Sequence, residues 1–193
     1  GRSTRFSGGA DGVTKLVVEV DGAPLVRRVV EAALGSGAQP VVVVTGHARD
    51  AVMAALAGLD ALEARNTDFA SGIASSVKAG LAALPPSCDG ALVFLGDMPR
   101  VTAQLARELV AAFAADPTLD AVAPLVEGRR GNPVLLARKL FAPAMRLAGD
   151  EGARMLLMRE GARVAEIAVD DEGAAFDVDT PEALQYLSSR RAD

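Results

Sequence analysis

At 193 residues, with hydrophobic side chains at 50% and aromatic ones at only 4%, the chain can bury one core built mainly from Val, Leu and Ala. Twenty Lys and Arg against 25 Asp and Glu give a net charge of -5, which excludes a protein whose affinity rests on a broad basic surface, so nucleic acid is not an expected partner. A single cysteine excludes an intrachain disulfide, and with no apolar run near ~18 residues and no signal-like start the expectation is a cytoplasmic protein with no membrane partner.

The opening stretch, GRSTRFSGGADGVTK, mixes glycines with hydroxyl side chains, carries Arg2, Arg5 and Lys15, and offers little packing material beyond Phe6. It reads as a loop. LVVEV (Leu16 to Val20) is then expected as a short strand, and Pro24 opens a helix with Leu25, Val29 and Ala33 on one face, closed by Gly35. PVVVVTG (Pro40 to Gly46) is apolar on both faces, the pattern of a parallel strand covered by helices. A helix over residues 51–56 and another carrying Ile73, Val77, Leu81 and Leu84 follow. ALVFLGD (Ala91 to Asp97) is a second expected buried strand, and Thr102 caps a helix with Leu105, Leu109 and Phe113. DAVAPLV (120–126) and NPVLLA (132–137) read as strands around a polar hairpin from Glu127 to Pro133, VAEIAVD (164–170) as a later strand, and Thr180 with Pro181 as the start of a last helix. Strands alternating with amphipathic helices predict a Rossmann-like doubly wound α/β fold with a mostly parallel sheet. With no linker, repeat or low-complexity segment, residues 1–193 are expected to form a single domain.

Ligands of open α/β sheets sit beyond the carboxyl ends of the strands, which directs attention to three places. Asp97 in LGDMP stands at the tip of an apolar strand, where a carboxylate either ligates a hard cation such as Mg2+ or caps the helix that starts after Thr102. Asp177 and Asp179 in FDVDTPEAL face the same way in an extended segment; Asp179 either completes a cation site with Asp97 or serves as an ordinary acidic helix start. The opening loop supplies backbone amides, Arg5 and Lys15, the groups that hold phosphate oxygens, although its spacing matches neither a P-loop nor a dinucleotide fingerprint. His47, after a central strand, touches a ligand or is simply solvated, and Cys88 reads as incidental.

Taken in order, GRSTRF with Lys15, DGAPLVRRVVEAAL, VVVVTGH, NTDFASGIASSVKAGL, LGDMPRV, GNPVLLARKLF, GDEGARMLL and DVDTPEAL resemble the nucleotidyltransferases of the molybdenum cofactor branch, the molybdopterin guanylyl- and cytidylyltransferases, over nearly the whole chain. Among them, ASGIASSVKAGL, GDMP, GDEGARMLL and DVDTPEAL are similar to the cytidylyl members. The resemblance implies a Mg2+-dependent enzyme that transfers CMP from CTP to the terminal phosphate of molybdopterin and releases pyrophosphate. It places Gly1, Ser3 and Arg5 in a phosphate-binding loop, Lys15 on the triphosphate, and Asp97 and Asp179 on the metal, with Arg5, Lys15 and Asp97 carrying the catalysis. Asn66, Ser71, Gly72 and Ser75 fall where the family approaches the nucleotide, and Gly131, Asn132 and Pro133 where it approaches the acceptor. In the family a strand and an AAG or AGG precede the opening loop, so a first strand is expected upstream of Gly1. Three other readings stay open: the same chemistry with GTP or another phosphorylated acceptor, an oxidoreductase or cofactor-binding protein on the same fold, and a partner or chaperone that hands the cofactor to a molybdoenzyme.

Overall fold

Parallel neighbours require the chain to return across the sheet between strands, and here helices make most of those returns. The computed structural model describes residues 14–159, 161–170 and 172–178. In chain order these form β1 (Glu19–Val20), β2 (Ala23–Pro24), α1 (Leu25–Leu34), β3 (Val42–Thr45), α2 (Arg49–Ala55), β4 (Leu62–Arg65), α3 (Ile73–Ala82) and β5 (Gly90–Val93). They continue with α4 (Ala103–Ala115), β6 (Ala121–Val126), β7 (Arg129–Arg130), β8 (Val134–Ala137), α5 (Phe141–Ala144) and β9 (Val164–Ala168). Short 3-10 turns at Lys15–Val17, Phe69–Ser71, Arg138–Leu140, Ala153–Met158 and Glu172–Ala174 join them.

β3 and β4 pair in parallel, Val42 opposite Leu62. In the larger sheet β8 lies antiparallel between β5 and β6, so β5 and β6 share one direction, and β9 runs parallel to β6 along its other edge. Strand direction is therefore mostly parallel, with β8 inserted against it. β8 gets there through the hairpin expected at Glu127 to Pro133: Val126 pairs with Arg129 across a turn in which Glu127 and Gly128 both take positive φ.

Helices cover both faces of this sheet, and the side-chain alternation of the strands says how. Ala121 and Ala123 of β6 and Val134 and Leu136 of β8 pack with Ala74, Val77 and Leu81 of α3. Val122 of β6 and Leu135 of β8 turn the other way, onto Leu105 and Leu109 of α4. A third cluster joins Val26 and Val30 of α1 to Val52 of α2 and Leu56 just after it, over Val43 of β3. Truncating a wholly buried leucine such as Leu109 or Leu136 to alanine removes about 2–5 kcal/mol of stability.

Three expectations are corrected. Leu16 to Val20 is not a strand of the sheet: Lys15–Val17 is a 3-10 turn, and Glu19–Val20 forms only a two-residue hairpin with β2 across Asp21 and Gly22, at φ 50° and 77°. Leu16 and Val17 pack on the α1–α2 cluster instead, and Arg28 Nε holds the Val20 carbonyl at 2.8 Å. The strands from 42 and from 90 are half-buried, not fully buried; β6 and β8 are the covered strands. Among the described residues β3 and β5 have a hydrogen-bonded neighbour on one edge only, whereas β6 and β8 have one on each, which accounts for the difference. β4, LEAR, is an additional strand, half-exposed and without apolar alternation. The helix expected at Thr180 lies outside the described residues, and among these no helix is long and apolar enough to cross a membrane.

Candidate active site

Asp97 stands four residues beyond β5, past the carboxyl end of that strand. Thr102, not Asp97, caps α4: the Thr102 hydroxyl accepts from the Leu105 amide at 3.1 Å. The carboxylate is thereby left for another partner, and Lys15 supplies it across 82 positions of chain, Nζ donating to Asp97 Oδ2 at 2.8 Å. The lysine side chain is the covered member, 9% exposed against 26% for the aspartate. The turn at Lys15–Val17 fixes its stem, since the Val18 amide bonds back to the Lys15 carbonyl.

The segment that leads toward Asp179 runs along the same rim. The Val178 amide donates to the Asp97 carbonyl at 2.9 Å, and Val178 is wholly buried. Arg100 places its guanidinium over the Phe176 ring, 5.7 Å from the centroid. Asp177 is exposed. Asp179 itself lies outside the described residues, as do Gly1, Ser3 and Arg5 of the opening loop.

Gly131, Asn132 and Pro133 reach this rim because β8 runs against β5: Val134, at the start of β8, pairs with Val93, at the end of β5. The Asn132 amide donates to the Ala174 carbonyl at 2.8 Å. A Cβ on Gly131 would stand 2.3 Å from that same carbonyl, so only glycine lets the two backbones meet. One segment, 173–178, therefore touches both the Asp97 strand tip and the 131–133 loop.

Asn66, Ser71 and Gly72 lie in the segment beyond the carboxyl end of β4, and Ser75 in the first turn of α3 that follows. Asn66 is buried, and its side-chain amide donates to Ser75 Oγ at 2.8 Å and Ser76 Oγ at 3.1 Å while its Oδ1 accepts from the Asp68 amide. The Ser71 hydroxyl bonds to Asp68, and that of Ser75 to the Gly72 carbonyl. Gly72 is at φ +107°, and a Cβ there would fall 2.2 Å from the Gly149 carbonyl oxygen, whose lone pairs also take the Ala74 amide. These side chains thus brace the loop from within, a role that spacing alone did not reveal. Beside it, His47 follows β3 and lies against Phe69, ring centroids 5.7 Å apart.

The turn carrying His47 is itself tied down. Arg49 grips Glu63 of β4 through Nε and a terminal nitrogen, at 2.7 and 2.6 Å, and Thr45 donates to the same carboxylate. These bonds, Arg49 first and Thr45 second, hold the Glu63 carboxyl below the usual range, and Glu63 raises Arg49 in return. Cys88 is half-buried in the turn before β5.

A sheet with helices on both faces, with an acidic residue, a lysine and glycine turns beyond its strand ends, has the layout of an open α/β protein whose ligand sits past the carboxyl ends of the strands. The chain belongs to the MobA-like NTP transferase domain family, whose model matches residues 1–164. Fold and family together are those of a nucleotidyltransferase. Nicotine blue oxidoreductase of Paenarthrobacter nicotinovorans is 33% identical over 182 residues, 90% of this chain and 87% of that protein. Rv0371c of Mycobacterium tuberculosis H37Rv superposes with a TM-score of 0.80 at 26% identity over 97% of this chain and 93% of that one. Its manganese complex gives 0.74 at 25% identity, with 90% of each chain covered. Molybdopterin-guanine dinucleotide biosynthesis protein A of Archaeoglobus fulgidus shares the fold, with a TM-score of 0.68 at 18% identity over 93% of this chain and 91% of that one.

Among the described residues no cluster of three or more His, Cys, Asp or Glu side chains is placed to hold a metal. Asp97 still suits a hard cation: it is an oxygen donor, about a quarter exposed, and already holds a positive charge at hydrogen-bond distance.

Proposed function

We propose that the chain transfers CMP from CTP to the terminal phosphate of molybdopterin and releases pyrophosphate, with Mg2+ as its cation. An oxygen of the acceptor phosphate forms the new bond to the α-phosphorus of CTP; the bond from that phosphorus to the oxygen bridging the α and β phosphates breaks, its electrons leaving with pyrophosphate. When bound, the cation supplies neutralisation of the phosphate charge. Asp97 would hold it, with Asp179 as the second carboxylate, and Mg2+ is commonly bound by one or two carboxylates plus substrate phosphates. The manganese complex of Rv0371c supports a divalent cation in this role.

In this reading Lys15, Arg5 and the amides around Gly1 and Ser3 orient the triphosphate, with Lys15, Arg5 and Asp97 acting at the reacting phosphates. The loop of Asn66, Ser71, Gly72 and Ser75 presents a rigid backbone to the nucleotide, and Gly131, Asn132 and Pro133 meet the acceptor. The observation that carries the reading is the Lys15 ammonium against the Asp97 carboxylate beyond β5. It brings a phosphate-binding cation and a metal-binding anion within one hydrogen bond, in a family of NTP transferases. No Ser, Cys or His nucleophile is called for, which leaves His47 and Cys88 outside the chemistry.

The similarity to nicotine blue oxidoreductase favours a second reading, oxidoreduction on this fold, in which the Lys15–Asp97 pair remains closed as a brace. Pyrophosphate release measured with Mg2+, molybdopterin and each nucleoside triphosphate in turn separates the two. Release should be greatest with CTP. Equal release with GTP overturns the choice of base, and none with any nucleotide overturns the transferase reading in favour of the second.

A further inference from the structure

The contact between Lys15 and Asp97 sets a condition on how a cation reaches the site. The ammonium lies 2.8 Å from Oδ2, so it already occupies one of the carboxylate positions that an incoming cation would use. Two positive charges cannot share that oxygen closely without strong repulsion in a partly covered site. Lys15 is also the more buried partner, 9% exposed, so water gives it little help in leaving. Another anion at the same rim would. A lysine carries its charge on a flexible four-carbon stem and can transfer it between neighbouring anions without movement of the backbone.

From this geometry, and resting on the assignment of Asp97 as the cation-holding carboxylate made above, we infer that Lys15 is a displaceable counter-cation of Asp97. Its ammonium holds the carboxylate until a nucleotide's phosphates draw it away. Divalent-cation affinity is therefore low in the nucleotide-free protein and rises when nucleotide binds. By linkage the cation strengthens nucleotide binding by the same factor. The chain thus avoids presenting an open metal site, and the two ligands arrive as a coupled pair.

The test is titration of the nucleotide-free full chain with MnCl2, free ion being read by electron paramagnetic resonance. Lys15→Gln removes the competing charge and should bind Mn2+ at least tenfold more tightly than the unaltered protein, and adding Asp97→Asn should abolish that gain. Affinity in Lys15→Gln equal to or weaker than in the unaltered chain overturns the inference while leaving Asp97 as a ligand, provided Asp97→Asn alone weakens binding. If Asp97→Asn changes Mn2+ affinity in neither background, the assignment of Asp97 itself fails, and the inference with it. A measurement on the unaltered chain covers the case in which Lys15→Gln does not fold. Acetylation of Lys15 by an active ester, followed by mass spectrometry, should speed up severalfold at saturating Mn2+, because the cation takes the amine off Asp97. An unchanged rate overturns the inference.

Discussion

Two lysine–aspartate pairs of the same length, Lys15–Asp97 and Lys139–Asp120, stand at opposite ends of the larger sheet: both measure 2.8 Å, but Asp97 follows β5 whereas Asp120 precedes β6, which runs in the same direction. Their exposures are reversed. At the Asp97 end the lysine is covered and the carboxylate is more open; at the other end Lys139 is 51% exposed and Asp120 only 17%. Asp120 also accepts the Arg163 amide at 2.7 Å, Lys139 reaches the Thr118 carbonyl, and neighbouring Asp116 accepts from Thr118. A covered carboxylate surrounded by the protein's own donors ties strand starts together. At the Asp97 end the carboxylate is about a quarter exposed, and among the described residues the ammonium against it is covered. At equal length, the two pairs differ in which partner is buried, and on the proposed reading that difference separates a brace from a binding group.

The sharpest way to break this contrast is Asp97→Asn. In the proposed mechanism Asp97 holds the cation that neutralises the reacting phosphates, and losing it costs several kcal/mol at the transition state, so kcat/KM for pyrophosphate release should fall at least about 100-fold. The melting temperature should fall as well, because the covered Lys15 ammonium loses its carboxylate. Retained turnover would make the Asp97 pair a brace like its counterpart. Next in size, Gly72→Ala must place a methyl group where the Gly149 carbonyl stands, from a backbone at φ +107°. Calorimetry should find about 1–3 kcal/mol less stability, and an unchanged melting temperature would mean that the 66–75 loop is not pinned there.

Asp120→Asn is the converse of the first change. It should cost about 0.5 kcal/mol in urea unfolding, discounted for the exposed lysine, and leave kcat unaltered. A loss of turnover would show that the brace end communicates with the chemistry. The smallest effect concerns acid. The Lys139 ammonium and then the Arg163 amide hold Asp120 below the usual carboxylate range, and Thr118 does the same for Asp116. Groups with depressed folded values stabilise the protein at pH above their unfolded value, near 4, and that contribution is lost as pH falls through the folded value. Unfolding free energies at pH 7 and pH 3 should therefore differ less for Asp120→Asn than for the unaltered chain, and an equal difference would remove Asp120 from the account.

Much of this was legible from residue order. Pro24 and Gly35 bracket α1, Thr102 caps α4 through its own hydroxyl, and the polar hairpin at Glu127 is present. The Asp21–Gly22 hairpin had a readable signal, a dipeptide that favours positive φ, but the apolar LVVEV beside it masqueraded as a full strand. β4 had no such signal, because LEAR is an edge-like strand whose pairing with β3, not its own pattern, makes it one. The residues proposed for the site were visible as types suited to phosphate and cation chemistry. The internal bracing of Asn66 by Ser75, Ser76 and Asp68 was not, since its hydrogen bonds emerge only once the loop closes.

By itself the sequence determined both ends of α1, the cap of α4, the polar hairpin after Val126, and that an acidic residue would follow an apolar strand. Those features depend on side-chain shape and backbone sterics within a few residues. Only the tertiary structure decided that β8 enters between β5 and β6, that burial is deepest on β6 and β8, and that Lys15 meets Asp97. Coverage and ion pairing depend on which distant segments become neighbours, and no local period in the chain encodes an 82-residue separation closing to a single hydrogen bond.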